Sequence, residues 1–280
     1  MYNDLFSHSG KILNDGMLRS KLLALKAHEA DVLYIHTDLN FGSPNPSLNR
    51  VDILEILYNQ ILELGVKTIF FPTYTFSFCN KENYDPINTK CYMGALNEYA
   101  RKQKGVLRSL DPLMSVCVFG KDLTPATDIK AESIGLGSTF DLLSQMRNVK
   151  YLFLGPRLGS CFTFMHYLEW KVGVPYRYDR VFHGNIIHDS QIIEDSRTLF
   201  VRYKDVLPNK NSYTYEDMML AHGIMLSSEF GGGLLSVVDQ QSATEVYIDL
   251  LKKDPNYFIQ TPFDEKTADK EFLVKNMRAL

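Results

Sequence analysis

Two periods alternate along the chain. Leu18, Leu22 and Leu25 recur at helical spacing through His28, after an Asn14-Asp15-Gly16 turn able to cap a helix. Val32-Leu33-Tyr34-Ile35-His36 is a short buried strand, and it breaks into a polar loop over 37–49 that holds Gly42, Pro44 and Pro46. Leu54, Leu57, Ile61 and Leu64 then mark one face of a helix over 50–64, with Gly65 placed as its C-cap. Lys67-Thr68-Ile69-Phe70-Phe71 is a second buried strand. Strand–helix–strand with apolar strands predicts a βαβ unit of a mostly parallel sheet. The rhythm continues with a helix over 94–103, a strand over 114–119, a helix over 139–147, a strand over 149–154 and a helix over 162–173. From 176 to 206 the pattern becomes strand-like with antiparallel potential. A helix over 214–227, a strand within Phe230–Val238 and a helix over 242–252 follow.

These elements predict an α/β fold: a mostly parallel central sheet flanked by helices, with an antiparallel and helical embellishment in the second half. No repeat, linker or low-complexity block divides the chain, so residues 1–280 read as a single domain, with 176–206 as a strand-rich insertion. Residues 1–16 read as a variable arm. Gly231-Gly232-Gly233 matches neither GxGxxG nor GxxxxGK[ST] and precedes a strand; a bulge or close backbone packing explains it more simply than a phosphate loop.

Composition narrows the class. With 45% hydrophobic and 22% charged residues among 280, the chain can bury a full core without disulfides or metal staples. A formal net charge of −3 does not support nucleic-acid binding, which needs a basic surplus on one face. Cys79, Cys91, Cys117 and Cys161 stand alone without CxxC spacing, which suits reduced thiols in a cytoplasmic protein. The N-terminal segment has no apolar h-region, and no apolar run approaches the ~20 residues of a membrane span.

Sites in α/β proteins gather at the carboxyl ends of strands. Four segments belong there: His36-Thr37-Asp38, Pro72–Ser77, Arg108–Ser115 and Gly159–Glu169. His166 and Glu169 form the sharpest pair, since an i, i+3 spacing puts both on one helix face. A carboxylate that accepts from one imidazole nitrogen leaves the other free as a base; a surface pair of little consequence has the same spacing. A metal half-site with His183, His188 or Asp189 lacks a defensible ligand spacing. Cys161 as a nucleophile lacks a local signature, and His36 reads as readily as a core histidine.

The ordered segments resemble the aminoglycoside 3-N-acetyltransferase family of coenzyme A-dependent N-acyltransferases, from about residue 17 to 260. The matching segments are IHTDL at 35–39, Pro72-Thr73-Tyr74-Thr75, Asp85-Pro86, Gly94 with Glu98, and Gly105-Val106-Leu107-Arg108-Ser109. Thr163, His166 and Glu169, then Val174-Pro175-Tyr176-Arg177-Tyr178, and Asp254-Pro255-Asn256-Tyr257-Phe258 complete the set. There is one departure: Asp111 stands where the family has His, which bears on acceptor recognition. The TFMHYLEW and VPYRYDR segments are similar to members that acylate amino sugars in surface-polysaccharide pathways.

The resemblance implies acyl transfer from acetyl-CoA, or another acyl-CoA, to a primary amine, without a metal. It implies His166 as general base, Glu169 orienting it, and Thr75 near the developing oxyanion. It places coenzyme A near His36, Thr37, Thr73, Arg108, Ser109 and Ser115, and the acceptor near Asp38, Asp85, Asp111 and Arg177. A nucleotide-linked amino sugar is the expected acceptor, with Arg157, Arg177 and Arg180 as candidate diphosphate partners. A polycationic aminoglycoside, and with it antibiotic resistance, is the alternative. Family members are often dimers, so a homodimer is a further expectation. A metal-dependent hydrolase using His166, Glu169 and His183 or His188, and a relative that binds coenzyme A without catalysis, are the rivals.

Overall fold

Residues 2–269 are described in the computed structural model. The first element is a hairpin, β1 (Asp4–His8) and β2 (Lys11–Asn14), within the segment that the sequence pattern reads as a variable arm. Burial of Leu5, Phe6 and Leu13 against the core gives this hairpin its reason to fold. Asn14 then caps α1 (Asp15–Ala24), its side chain accepting from the Met17 N–H. After β3 (Val32–Thr37), a two-residue strand, β4 (Ser43–Pro44), pairs with β1. Helix α2 (Arg50–Leu62) begins with a full capping box between Asn49 and Asp52. It leads to β5 (Thr68–Pro72), α3 (Ala95–Ala100), β6 (Leu107–Arg108) and β7 (Val116–Gly120).

The second half runs through α4 (Thr124–Thr127), α5 (Thr139–Gln145), β8 (Val149–Gly155), α6 (Leu158–Cys161) and α7 (Phe164–Val172). Two 12-residue strands, β9 (Arg177–His188) and β10 (Gln191–Arg202), then form a separate antiparallel ribbon. Its turn residues, Asp189 and Ser190, have φ of 48° and 63°. Last come α8 (Asn211–Ala221), β11 (Met225–Phe230), β12 (Gly233–Asp239) and α9 (Gln240–Lys253). The helix expected over 214–227 stops earlier because Gly223 turns the chain at φ 67° and Met225 starts a strand.

The central sheet has seven strands in the order β11-β12-β8-β3-β5-β7-β6. The expected parallel character is confined to its middle, where β3 pairs in parallel with both β5 and β8. Both flanks are antiparallel, so the sheet is mixed. Two of these antiparallel pairs, β11–β12 and β6–β7, are joined by short loops that reverse the chain, whereas β12 reaches β8 and β7 reaches β5 through long connections. Gly231-Gly232 is the turn between β11 and β12, which accounts for the three glycines. At Gly231, φ is 61° and an added Cβ would lie 2.0 Å from the Phe41 carbonyl oxygen.

Period-two alternation distributes the core over both faces. Leu33, Ile35, Ile69, Phe71, Leu152 and Leu154 pack under α1, α2 and α3. Val32, Tyr34, Phe70, Tyr151 and Phe153 pack with α5, α7 and α9 on the other face. His36 follows Tyr34 by two residues and so shares this second face, stacking on Phe153 at 5.3 Å. Among the described residues no helix is long and apolar enough to cross a membrane.

The ends of β3 and β8 are knit where the site forms: the Asp38 N–H donates to the Leu154 carbonyl at 2.9 Å. Gly155 has φ 108°, and an added Cβ would sit 1.6 Å from the Asp38 carbonyl oxygen. Gly155→Ala is therefore expected to destabilise the fold by about 1–3 kcal/mol or more, read as a lower urea midpoint at unchanged slope.

Candidate active site

A cleft of about 1120 Å³ opens at the carboxyl ends of β3, β5 and β8. Its floor includes His36, Thr37 and Asp38 from the end of β3, and its far wall includes Leu199–Lys204 from the end of the ribbon. Thr37 donates from Oγ1 to Asn97 Oδ1 at 2.7 Å, and Asn97 Nδ2 donates to the Pro72 carbonyl at 2.8 Å. This bridge joins the ends of β3 and β5 across the cleft floor.

Helix α7 brings a histidine–carboxylate pair to the cleft. Its three-residue spacing sets His166 and Glu169 on one face, with His166 Nδ1 3.0 Å from Glu169 Oε2. Gly173 ends the helix in the left-handed region at φ 75° and turns the chain back on itself. The return brings Tyr176 Oη to Glu169 Oε1 at 2.8 Å, and Arg177 Nε to Glu169 Oε2 at 2.8 Å. Glu169 is only 4% exposed, so its charge is held by these three neighbours and not by water. Burial alone would raise its pKa; the Arg177 charge and the bonds from His166 and Tyr176 overcome that and hold it at about 2.

His166 faces the cleft with 38% of its side chain exposed, while its Nδ1 edge is enclosed. Enclosure and the positive Arg177 lower its pKa, against the opposing pull of Glu169. Arg177 Nη2 also lies 2.8 Å from His166 Nδ1. One nitrogen cannot serve both contacts. When Nδ1 carries the proton it donates to Glu169 and leaves Nε2 as a free acceptor; when it does not, it accepts from Arg177 and the proton sits on Nε2.

Five of the thirteen expected site residues line the cleft: His36, Thr37, Asp38, His166 and Arg177, with Glu169 directly behind His166. The remaining hydroxyls and acids do not line it. Thr73 Oγ1 donates to the Ser115 carbonyl at 3.1 Å, and Ser115 Oγ donates to the Thr73 carbonyl at 2.6 Å. Arg108 donates to the carbonyls of Thr73 and Thr89 at 2.7 and 2.6 Å, and its guanidinium stacks on Tyr84. Ser109 Oγ accepts from the Val116 N–H at 3.0 Å. Thr75 donates to the Pro112 carbonyl at 2.9 Å and accepts from Ser77. Asp111 accepts from the Leu113 and Met114 N–H groups and from Ser133 Oγ. Asp85 is half-buried and caps a turn at Ile87 and Asn88. These groups pin the loops of the cleft wall, and their hydrogen bonds go to backbone and to neighbouring side chains of that wall.

The hydrolase rival does not assemble. His183 bonds Ser196 and His188 lies against Asp189, both out along the ribbon. Among the described residues no group of three or more His, Cys, Asp or Glu is gathered as a metal site. Arg157 is engaged by Glu216 and Asp217. Sequence reasoning missed Arg202, Tyr176 as the group that holds Glu169, and Tyr74, whose Oη meets Tyr34 Oη at 2.7 Å. Tyr176 had a signal in the VPYRYDR segment; Arg202 had none without the strand register.

His36 is buried, its Nε2 has no partner, and burial lowers its pKa from 6.5 to about 3. A base whose pKa falls on folding contributes stability above its unfolded value and loses it as pH drops from 6.5 toward 3. Glu169 adds a further loss only below its ordinary 4.5. Unfolding free energy is therefore expected to fall by about 1.4 kcal/mol per pH unit for His36 alone between pH ~6 and ~4. His36→Phe should flatten that slope in denaturant titrations at several pH values; an unchanged slope would assign the acid sensitivity elsewhere.

Comparison with known proteins adds three findings. Residues 68–252 match the family described as aminoglycoside 3-N-acetyltransferase. No curated protein matches the chain. Among solved structures, it is similar to AAC-IIIb in a binary complex with CoASH, at TM-score 0.70 and 18% identity, covering 89% of this chain and 98% of that one. It is similar to the aminoglycoside acetyltransferase AAC(3)-Xa at TM-score 0.71 and 18% identity, covering 85% and 92%. It is similar also to the YokD protein from Bacillus subtilis at TM-score 0.67 and 17% identity, covering 86% and 99%.

Proposed function

The chain belongs to the aminoglycoside 3-N-acetyltransferase family, and on that footing we propose that it transfers an acetyl group to the primary amine of a sugar with His166 as general base. That it is a coenzyme A-dependent N-acyltransferase with an acyl-CoA co-substrate follows from the family. The relatives support an aminoglycoside as acceptor better than the nucleotide-linked amino sugar suggested by the sequence.

The observation that carries the base assignment is the seat of His166: a ring open to the cleft, backed by a buried carboxylate held ionised. With Nδ1 donating to Glu169, Nε2 takes a proton from the attacking amine. The amine nitrogen bonds to the thioester carbonyl carbon, the carbon–sulfur bond breaks, and the leaving thiolate of coenzyme A takes the proton back from His166 Nε2. Glu169 stabilises the imidazolium formed in passing. Cleft walls that fix thioester and amine at contact distance supply the positioning part of the rate. His36, Thr37 and Asp38 line the cleft at the end of β3, which supports His36 and Thr37 as contacts of the acyl-CoA and Asp38 as a contact of the amine. Asp111 keeps its turn role and leaves the acyl-transfer centre intact.

Thiol release from acetyl-CoA in the presence of an amine panel tests this. His166→Ala is expected to lower kcat by roughly 10²–10⁴-fold, with folding checked by circular dichroism. The neutral ring is the working form and its pKa lies below 6.5, so kcat should be lost only as pH falls beneath that value. Full activity in His166→Ala would remove the base assignment.

A further inference from the structure

Arg202 is the residue the reaction above leaves without a task. It ends β10, lines the cleft and is half-buried. In the ribbon's register Arg202 stands opposite Arg177. Side chains paired this way share a face, with Cβ atoms about 5 Å apart, and like charges there are unfavourable. Both guanidinium groups therefore stand over the same pocket end, and Arg177 is within contact of His166.

The charges do not cancel. Arg177 is paired with Glu169, and Lys204 with Asp269 at 3.4 Å. Among the described residues Arg202 has no ion pair and its side chain donates no hydrogen bond. Asp38, on the cleft floor, is the one carboxylate among the residues lining the cleft. Arg202 feels the Glu169 charge but makes no direct pair with it, so one carboxylate faces two guanidinium groups; that imbalance in a half-buried place is costly unless an anion arrives with the ligand. Its planar fork suits a carboxylate or a phosphate.

We propose that Arg202 binds an acidic group, a carboxylate or phosphate, carried by the amine acceptor close to the reacting nitrogen. The acceptor is then an acidic amino sugar and not a polycation; this rests on the N-acylation reading and departs from the acceptor that the relatives suggest. The anion does not come from coenzyme A, because its phosphates lie at the far end of the pantetheine arm from the thioester, whereas Arg202 stands beside the residue that touches His166. The remaining source is a carboxylate on the acyl group itself, which the experiment separates.

Initial rates of thiol release would be measured for glucosamine, glucosamine phosphate, an amino-uronic acid, a nucleotide-linked amino sugar and an aminoglycoside, each with acetyl-CoA and with succinyl-CoA. With acetyl-CoA, kcat/KM for an acidic acceptor is expected to exceed that for the neutral one by about 10- to 100-fold. Arg202→Gln should bring that ratio close to one, and Arg202→Lys should keep part of it. A ratio is insensitive to partial unfolding, and Arg202→Lys covers the case in which Arg202→Gln fails to fold. Preference for the neutral sugar or the aminoglycoside would overturn the proposal. So would a ratio unmoved in either variant, a rise only in the KM for acetyl-CoA, or an Arg202-dependent preference for succinyl-CoA on a neutral amine. No thiol release from any pair would instead sink the N-acylation reading, a different result from release without an acid preference.

Discussion

The Glu169 carboxylate is removed from water and surrounded by the hydroxyl of Tyr176, the guanidinium of Arg177 and the imidazole of His166. A buried charge of this kind survives only when its partners are placed by the fold, since desolvating it costs several kcal/mol. The partners come from a stretch of a dozen residues: a helix, a left-handed glycine turn and the first residue of a strand. That compact unit ties the end of α7 to the start of the ribbon. It also sets the electrostatics of the cleft, because a single carboxylate answers both the histidine behind which it sits and the arginine above it.

The competition at His166 Nδ1 follows from the same arrangement. Arg177 holds the carboxylate ionised and at the same time offers a donor to the ring nitrogen that the carboxylate needs. A base facing the cleft requires the Glu169-bonded tautomer, so whatever orders ligand against Nε2 also selects it. The pair of guanidinium groups at the ribbon's end gives this region a positive balance that a chain of net charge −3 does not suggest.

Much of the polar constellation at the strand ends builds the cleft without lining it. Thr73, Ser115, Arg108 and Ser109 form a closed buried network between β5, β6 and β7. Asp111 and Asp85 hold turns. Residues that mark the family in sequence are in this way largely the residues that keep long loops in one conformation. Loops that carry ligand sites need such pinning, because their backbone has no ladder to satisfy it.

The alternation of apolar residues in β3, β5 and β8, the cap at Asn14, and the spacing of His166 and Glu169 are local facts. They were legible because helix and strand periods act over a few residues. The sequence alone thus determined the α/β class, most element positions and the histidine–carboxylate pair. It did not determine that the sheet is antiparallel at both flanks, that the first residues form a hairpin, or that eight of the hydroxyls, acids and arginine expected in the site, Glu169 included, lie outside the cleft lining. Those outcomes depend on which strands meet and on which side a loop folds back, contacts between residues far apart in the chain. Arg202 is the sharpest case. It lies 25 positions from Arg177 in sequence, and only the register of β9 on β10 makes the two arginines neighbours over one histidine.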